Sequence, residues 1–363
     1  MSLKAGIVGL PNVGKSTLFN ALTAAGVEAA NYPFATIQPN VGVVPVPDPR
    51  LEAINTVIET KEIVPTVVEI VDIAGLVRGA SKGEGLGNQF LGHVRTVDAI
   101  LEVVRCFESP DVTHVEGSID PVRDIETIET ELILADLEVA ERRLERLERG
   151  AKSGDKEVLR RRDIVERVVE HLDAGQPLRA VTWSDGERDV IAELEMITAL
   201  PVLYVCNVDE SGLAGNRHTA AVEEWASEHD APVVRICAQV EAEIAELDDE
   251  DRRMFLADLG LEEPGLDTLA RATYALLGLR TFFTAGPKEI RAWTVPAGTR
   301  APEAAGVIHS DFQAGFIRAE VYSVDDLLEA GSEAALRASG KLRIEGKDYV
   351  IQDGDVVHFR FNV

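Results

Sequence analysis

Residues 9–16 read Gly-Leu-Pro-Asn-Val-Gly-Lys-Ser, and this G-x-x-x-x-G-K-S stretch lies between an apolar run and a helical pattern. The run from Leu3 to Val8 is typical of a strand, and the spacing from Thr17 to Leu22 predicts a helix. Strand, glycine loop and helix in this order indicate a phosphate-binding loop, because glycines let backbone N–H groups point at phosphate oxygens and the helix adds its positive end. We expect Lys15 to reach the β- and γ-phosphates of a nucleotide, and the Ser16 hydroxyl to ligate Mg²⁺.

The composition limits the classes of partner that the chain is expected to bind. The 363 residues hold 36 Lys and Arg against 63 Asp and Glu, for a net charge of -27. Such acidity opposes long-range attraction to nucleic acid or membrane, so an RNA partner needs a local basic patch, and DNA is not expected. The sequence has no apolar run of about 18 residues that would span a membrane, and no signal peptide fits its start. Cys106, Cys206 and Cys237 lack C-x-x-C spacing and are expected to be reduced thiols of a cytoplasmic protein.

The order of predicted elements indicates an α/β domain with a mainly parallel sheet, interrupted once. Strands are predicted at 3–8, 41–46, 66–71, 99–104, 200–206 and 232–236. Between the fourth and fifth strands, two charged helices with narrow apolar seams, joined at Gly150–Gly154, predict an antiparallel coiled-coil hairpin. Short strands and turns near the end predict a small α+β domain. The predicted domains are therefore a discontinuous nucleotide-binding domain at 1–123 and 200–279, a helical insertion at 124–199 and a third domain at 280–363.

Two further segments complete the predicted phosphate and metal site. Asp72 and Gly75 follow a predicted strand, where P-loop proteins place an aspartate that holds Mg²⁺ and a glycine amide that senses the γ-phosphate. Thr36 lies in a proline-bounded polar segment and is the candidate switch hydroxyl for Mg²⁺; the alternative is that it opens a strand. Because Mg²⁺ keeps several waters and needs few protein ligands, the predicted metal ligands are Ser16, Thr36 and Asp72.

The residues after Gly75 predict slow turnover. Leu76 stands where many GTPases of the Ras type place a glutamine that orients the attacking water, and leucine cannot orient water. Hydrolysis then requires another polar group, a cation or the substrate itself. The stretch from Gly79 to Gly87, with its repeated glycines, predicts a mobile switch loop.

The base-reading element departs from the guanine motif. GTPases carry Asn-Lys-x-Asp at the end of a late strand, whereas this chain reads Asn207-Val208-Asp209-Glu210 at that place. Glu210 is one methylene longer than the aspartate that accepts from guanine, and Val208 lacks a long stem. Losing that geometry predicts weak guanine preference, while Asn207 or loop carbonyls can satisfy adenine. The alternative is that Asp209 substitutes by a one-residue shift.

These motifs resemble the YchF, or Obg-like ATPase, subfamily of Obg-related P-loop proteins. The resemblance rests on the phosphate loop together with Asn31-Tyr-Pro-Phe34, Asp72–Ala80 and Gly83–Phe90, and it covers essentially the whole chain. It implies a Ras-like G domain with the inserted hairpin, and a C-terminal TGS domain of β-grasp form. It also implies that ATP is preferred over GTP, and that the phosphates contact Asn12, Val13, Gly14, Lys15, Ser16 and Thr17. Val208 would line the adenine pocket through its backbone.

Further roles rest on the same resemblance. His114 is the candidate replacement for the missing glutamine, and with Lys15 it forms the predicted catalytic pair; His93 is the competing choice. Asn12 resembles the loop asparagine of relatives that bind K⁺, which implies K⁺ stimulation.

The TGS domain and the hairpin imply binding to the large ribosomal subunit or other RNA. Basic residues that interleave with aromatic ones near the end of the chain fit an RNA-facing sheet, with ordinary strand alternation as the alternative: Lys341, Arg343, Lys347, Tyr349, Phe359, Arg360 and Phe361. The arginines at 160–162 are a second candidate contact for phosphate.

The sequence therefore predicts a cytoplasmic, Mg²⁺-dependent ATPase that switches conformation with nucleotide and engages the translation apparatus. Two alternatives stay open. One is an Obg-type GTPase. The other is a nucleotide-gated ribosome-binding module whose turnover is incidental.

Overall fold

A computed structural model of the chain describes residues 3–25, 40–73, 86–109, 114–115, 117–152 and 154–362. Thr36, Gly75 and Leu76 lie outside these ranges, as does most of the glycine-rich stretch that begins at Gly79.

The first half of the chain contains the phosphate loop and two long helices. Its strands and helices are β1 (Lys4–Val8), α1 (Lys15–Ala25), β2 (Val41–Val46), α2 (Pro49–Asn55), β3 (Ile63–Val64), β4 (Thr66–Asp72), α3 (Leu86–Val94), β5 (Ala99–Arg105), α4 (Pro121–Ala151), α5 (Lys156–Asp173) and α6 (Asp185–Glu193).

The α/β pattern then resumes and is followed by a second group of strands. The elements are β6 (Val202–Asn207), α7 (Arg217–Glu228), β7 (Val233–Ile236), α8 (Ala238–Ile244), α9 (Asp249–Asp258), α10 (Gly265–Leu276), β8 (Leu279–Ala285), β9 (Ile290–Pro296), α11 (Ala301–Ile308), α12 (Ser310–Ala314), β10 (Phe316–Ser323), α13 (Val324–Ala330), α14 (Glu333–Ser339), β11 (Arg343–Glu345) and β12 (Asp355–Phe361).

The first sheet has the order β2-β4-β1-β5-β6-β7. Strand β1 pairs in parallel with β4 and β5, and the pairs β5–β6 and β6–β7 are also parallel. Every residue of β5 is buried, as expected for a central strand covered on both faces. The register places Ile7 beside Asp72 and Arg105 beside Asn207. The carboxyl ends of these strands therefore share one edge, where ligands of open α/β sheets bind.

The helical insertion between β5 and β6 is larger than a two-helix hairpin. Helix α4 follows Asp120, whose carboxylate accepts the Arg123 N–H at 3.2 Å, and it continues through the predicted break at Gly150 to Ala151. Helices α4 and α5 pack through a shared apolar core. Side chains from α6 and its flanks complete that core: Trp183, Val190, Ile191, Leu194 and Met196.

The chain divides into two compact units, and residues 44–68 group with residues 270–363 in the second unit. The sequence analysis assigned 44–68 to the nucleotide-binding domain and began the last domain at 280. The difference has a structural cause, because β3 pairs in parallel with β9, with Ile63 beside Ile290. Leu51 and Ile54 of α2 are also buried in one core with residues of the second unit such as Phe283.

The second sheet has the order β11-β10-β12-β8-β9-β3. Strands β8 and β9 form an antiparallel hairpin, β10 is antiparallel to both β11 and β12, and β12 is parallel to β8. Alanines of α11 pack on one face, in a core with Phe282 and Val357. Adjacent parallel strands flanked by hairpins, with a helix on the sheet, are consistent with the β-grasp form.

Among the described residues, every helix is too short or too polar to serve as a membrane span.

Candidate functional site

The phosphate loop follows a backbone path that requires glycine at two positions. Gly9 and Gly14 have φ values of 151° and 96°. A Cβ on Gly9 would lie 2.6 Å from the Val103 carbonyl oxygen, and one on Gly14 would lie 2.1 Å from Asn207 Nδ2. Asn12 has φ 62°, a left-handed conformation that asparagine tolerates better than most residues. The motif glycines are thus required both by φ and by the close approach of β5 and β6.

Lys15 is held at the centre of this loop. Its ammonium donates to the carbonyl oxygens of Gly9 at 2.9 Å and Leu10 at 2.7 Å, and the residue is 9% exposed. An ammonium has three N–H donors, and the two carbonyls use two of them. Burial lowers the pKa of Lys15 to about 8, and the Asp72 carboxylate opposes this shift. A lysine with this pKa is only partly charged at alkaline pH.

Asp72 lies at the carboxyl end of β4, where the sequence placed it. Its backbone N–H donates to the Asn40 carbonyl oxygen at 2.9 Å, and the residue is half-buried. Burial raises the pKa of Asp72, while the charge on Lys15 lowers it. Lys15, the predicted phosphate contact, and Asp72, the predicted metal ligand, are therefore electrostatically coupled.

The other loop positions divide into buried and exposed side chains. Val13 is 1% exposed and anchors the loop in the core. Asn12 in the loop, and Ser16 and Thr17 at the start of α1, are exposed residues. Among the described residues no cluster of three or more His, Cys, Asp or Glu side chains is placed to hold a metal ion.

Asn207 connects the phosphate loop to the far side of the site. Its Nδ2 donates to the Val13 carbonyl oxygen at 2.8 Å, and its Oδ1 accepts the Ala238 N–H at 3.1 Å. The residue is 5% exposed. The sequence pattern predicted Asn207 as a base contact, and the structure adds a clamp between the phosphate loop and the start of α8, which are distant in the chain. An asparagine directly after a buried strand was the only sequence signal for this role.

The remaining base-reading residues lie in a short turn after β6. Val208 is 2% exposed, and its N–H donates to the Ile236 carbonyl oxygen at 2.9 Å. Asp209 Oδ1 accepts from the Ser211 hydroxyl and the Gly212 N–H, both at 2.8 Å, so it caps the 3₁₀ helix Glu210–Gly212. Glu210 is exposed at the start of that helix.

His114 lies against the first turn of α4. The distance from its Nε2 to Asp124 Oδ2 is 2.7 Å, and the two residues are 7% and 3% exposed. Asp124 also accepts a hydrogen bond from Arg123. Burial lowers the pKa of Arg105, and the charge on Asp124 opposes this shift. Asp124 thus fixes the orientation of the His114 ring in a buried pair. Sequence patterns did not identify Asp124 as a partner of His114, because the fold brings the two residues together.

Two family models match the chain. One, named YchF-GTPase_C and described as a protein of unknown function, matches residues 279–362. The other, described as a 50S ribosome-binding GTPase, matches residues 4–138.

Full-length relatives are also similar. A protein of Haemophilus influenzae named "Ribosome-binding ATPase YchF" is 56% identical, and one of Bacillus subtilis with the same name is 53% identical; all of each chain is covered. The solved structure of the Schizosaccharomyces pombe YchF GTPase superposes with a TM-score of 0.89 at 38% identity, covering 99% of this chain and 98% of that one. These names differ in the nucleotide they mention. A GTP-binding protein of Pyrococcus horikoshii, at 20% identity and a TM-score of 0.62, shares the fold.

Proposed function

This chain belongs to the YchF family, and from that premise we propose that it is a Mg²⁺-dependent ATPase that converts ATP to ADP and phosphate and acts as a nucleotide-switched, ribosome-associated regulator in the cytoplasm. The observation that carries the proposal is the phosphate loop, in which buried Lys15 lies within a backbone path fixed by Gly9, Gly14 and Asn207.

The loop recognises phosphate through its backbone and one cation. The first turn of α1 leaves N–H groups without partners in the helix, and these are available to phosphate oxygens. Lys15 is part of the same loop, and phosphate next to it favours the charged ammonium. Binding therefore raises the pKa of Lys15 from about 8 and draws a proton from solvent when the pH is higher.

Ser16, Thr36 and Asp72 are the proposed Mg²⁺ ligands. The described donors fit the ion, because the exposed Ser16 hydroxyl and the Asp72 carboxylate are oxygen donors, which Mg²⁺ prefers. When bound there, Mg²⁺ would neutralise negative charge that develops on the phosphates during hydrolysis. Burial raises the pKa of Asp72, and the charge on Lys15 opposes this shift and so favours the ionised carboxylate that a metal ligand needs.

Adenine preference is proposed from the turn after β6. Asp209 caps its own turn through Oδ1, which argues against a simple one-residue shift of the guanine acceptor. Glu210 carries its carboxylate one methylene further than the guanine motif allows. Asn207 is held by Val13 and Ala238, and its amide group offers one more N–H donor to a base.

His114 and a K⁺ ion are proposed to assist hydrolysis, together with Lys15. An imidazole is chemically suited to proton transfer, and Asp124 would hold the ring of His114 in one orientation. Asn12 is exposed in the loop with its backbone in the left-handed conformation, and its amide oxygen is a suitable K⁺ ligand. A K⁺ ion held there would supply positive charge where other enzymes use an arginine finger.

Nucleotide turnover with purified protein tests the proposal. ATP and GTP hydrolysis are measured in K⁺ and in Na⁺, with and without ribosomes. We expect faster turnover of ATP, stimulation by K⁺ and loss of activity in Lys15→Ala. A preference for GTP of tenfold or more would overturn the adenine assignment and favour the Obg-type GTPase. Ribosome association that persists in His114→Ala without turnover would favour the binding-module alternative.

A further inference from the structure

An arginine cluster surrounds one buried carboxylate on the second sheet. Glu320 of β10 is 4% exposed and accepts from Arg360 Nε at 3.1 Å and Arg360 Nη2 at 3.0 Å. Arg337 Nη2 lies 3.3 Å from the same carboxylate, and Arg318 Nη2 lies 3.6 Å from it. We name Arg318, Arg337 and Arg360 the guanidinium cluster.

The cluster carries more positive charge than Glu320 can neutralise. Its side chains are 49%, 63% and 55% exposed for Arg318, Arg337 and Arg360. The hydrogen bonds from Arg360 hold the pKa of Glu320 down at about 2, so the carboxylate is ionised at neutral pH. Three guanidinium charges exceed the charge of the Glu320 carboxylate, and Glu333, which lies within the electrostatic reach of Arg337, offsets part of the exposed surplus.

The fold sets the positions of these side chains. Arg318 and Glu320 are two residues apart on β10 and share a face of the sheet. Arg360 of β12 pairs with Arg318, and Arg337 comes from α14. Ile344 of β11 pairs with Glu320 and is 62% exposed, so this end of the sheet face is open.

The structure separates this cluster from the other basic residues of the sequence prediction. Lys341 pairs with Asp326 and Glu329, and Arg343 contacts Asp355 and the Tyr349 hydroxyl. Phe359 packs against the inner core of the sheet instead of facing a partner. Of the predicted RNA-facing residues only Arg360 belongs to the cluster, and Arg318 and Arg337 were not predicted.

The charge of this part of the chain suits an anionic partner. Residues 270–363 hold eleven Lys and Arg against twelve Asp and Glu, whereas residues 1–269 hold twenty-five against fifty-one. A polyanion is therefore repelled by most of the sequence and much less by its last quarter. Guanidinium groups bind phosphate oxygens in pairs, and Glu320 fixes their positions before a ligand arrives.

We propose that the guanidinium cluster binds backbone phosphates of RNA. The proposal rests on the ribosome association proposed above and identifies a contact surface for it. Glu320 is a positioning residue that holds the arginines in place, and Ile344 extends the surface toward sugars and bases.

The test compares full-length wild type with a triple variant, Arg318→Gln, Arg337→Gln and Arg360→Gln. Binding to ribosomes and to a single-stranded RNA oligonucleotide is measured across a salt series. Each lost phosphate contact lowers the slope of log affinity against log salt by about 0.7, so we expect a decrease of about 2 and at least a tenfold loss of affinity at low salt. The matched control, Arg300→Gln with Lys341→Gln and Arg217→Gln, removes three exposed cations that already have acidic partners.

A second variant distinguishes a loss of RNA binding from a loss of folding. Removing three arginines leaves the buried Glu320 carboxylate unpaired, so the triple variant is also made with Glu320→Gln. ATP turnover and the thermal midpoint report whether each protein is folded, and we expect turnover without ribosomes to stay at the wild-type level.

The outcomes separate the two proposals. A folded variant that keeps the wild-type salt slope overturns the cluster. So does wild-type binding to polyglutamate but not to RNA, because the partner is then an acidic protein. Wild-type protein that binds RNA through the cluster but does not bind ribosomes supports this inference and contradicts the ribosome proposal.

Discussion

The phosphate half and the base half of the candidate site are built in different ways. In the phosphate half, Lys15 bonds to Gly9 and Leu10, which are six and five residues away in the sequence. In the base half, Asn207 bonds to Val13, which is 194 residues away, and to Ala238 at the start of α8. The phosphate half is a local backbone device, whereas the base half exists only when several strands meet at one edge.

This difference separates two properties of the site. The backbone of the phosphate half suits phosphate binding in general, because ATP and GTP carry the same triphosphate. We expect the base half to determine which nucleotide is preferred, and its Asn207 side chain holds the phosphate loop. Substitutions in the two halves should therefore have different effects, and each prediction below tests that separation.

The largest effect is expected at Gly14, where the two halves touch. Alanine at this position has a strained φ and a Cβ that would lie 2.1 Å from Asn207 Nδ2. We expect Gly14→Ala to lower ATP affinity by more than about 100-fold, since strain of about 1–3 kcal/mol adds to the steric conflict. Calorimetric ATP titration measures it. Gly92→Ala is the control, because a Cβ there meets nothing within 4 Å, and equal affinities in the two variants would contradict the geometry.

A smaller effect is expected at Asn207. Asn207→Ala leaves the Val13 carbonyl and the Ala238 N–H without their buried partner, at a cost of about 1–3 kcal/mol for each group. We expect ATP affinity to fall about 10- to 100-fold and the thermal midpoint to drop. Asn207→Asp keeps the acceptor for Ala238 but places a buried carboxylate oxygen against the Val13 carbonyl oxygen, so its loss should be at least as large as that of Asn207→Ala. Unchanged affinity in both variants would show that the phosphate loop does not depend on the clamp.

The third prediction concerns pH and involves the phosphate half alone. Lys15 has a pKa near 8 without phosphate, and phosphate raises it, so binding takes up a proton only above that pH. ATP affinity should be constant near pH 7 and then fall by up to about tenfold per pH unit above 8. Titrations in two buffers of different ionisation enthalpy measure the proton uptake. Lys15→Arg should abolish the pH dependence, because arginine does not deprotonate in this range.

The smallest effect is expected at Glu210, which is exposed and belongs to the base half. Glu210→Asp shortens the carboxylate to the length found in the guanine motif. We expect the ratio of ATP to GTP turnover to shift toward GTP by about threefold to tenfold, with Lys15-dependent phosphate binding unchanged. Glu224→Asp, an exposed glutamate of α7, serves as the control. A shift of equal size in the control would show that the base half does not read the base through this residue.

Sequence patterns predicted the local parts of this molecule. The phosphate loop, the strand before it and the helix after it were predicted from contiguous residues, and β2 was predicted at its observed bounds. These features depend on backbone preferences and periodicity, which neighbouring residues express directly.

Patterns did not predict contacts that join distant segments. The two-residue strand β3 carries no periodic signal, yet its pairing with β9 transfers residues 44–68 to the second unit. In the sequence, His114 looked like a loop residue and Asp124 like the start of an unrelated helix, whereas the fold pairs them. The guanidinium cluster joins a strand, a helix and a second strand, so only Arg360 was predicted.

Because residues 44–68 belong to the second unit, they decide how the chain can be shortened. A protein cut before β8 keeps α2 and β3 but loses β9 and Phe283, their partners in the described structure. Leu51 and Ile54 would then be uncovered, and Arg50 would lose its ion pair with Asp353 at 2.7 Å. Such a fragment should aggregate, whereas replacing 44–68 by a short linker in the same deletion should restore solubility. The two segments of the second unit, residues 44–68 and 270–363, must therefore be removed together.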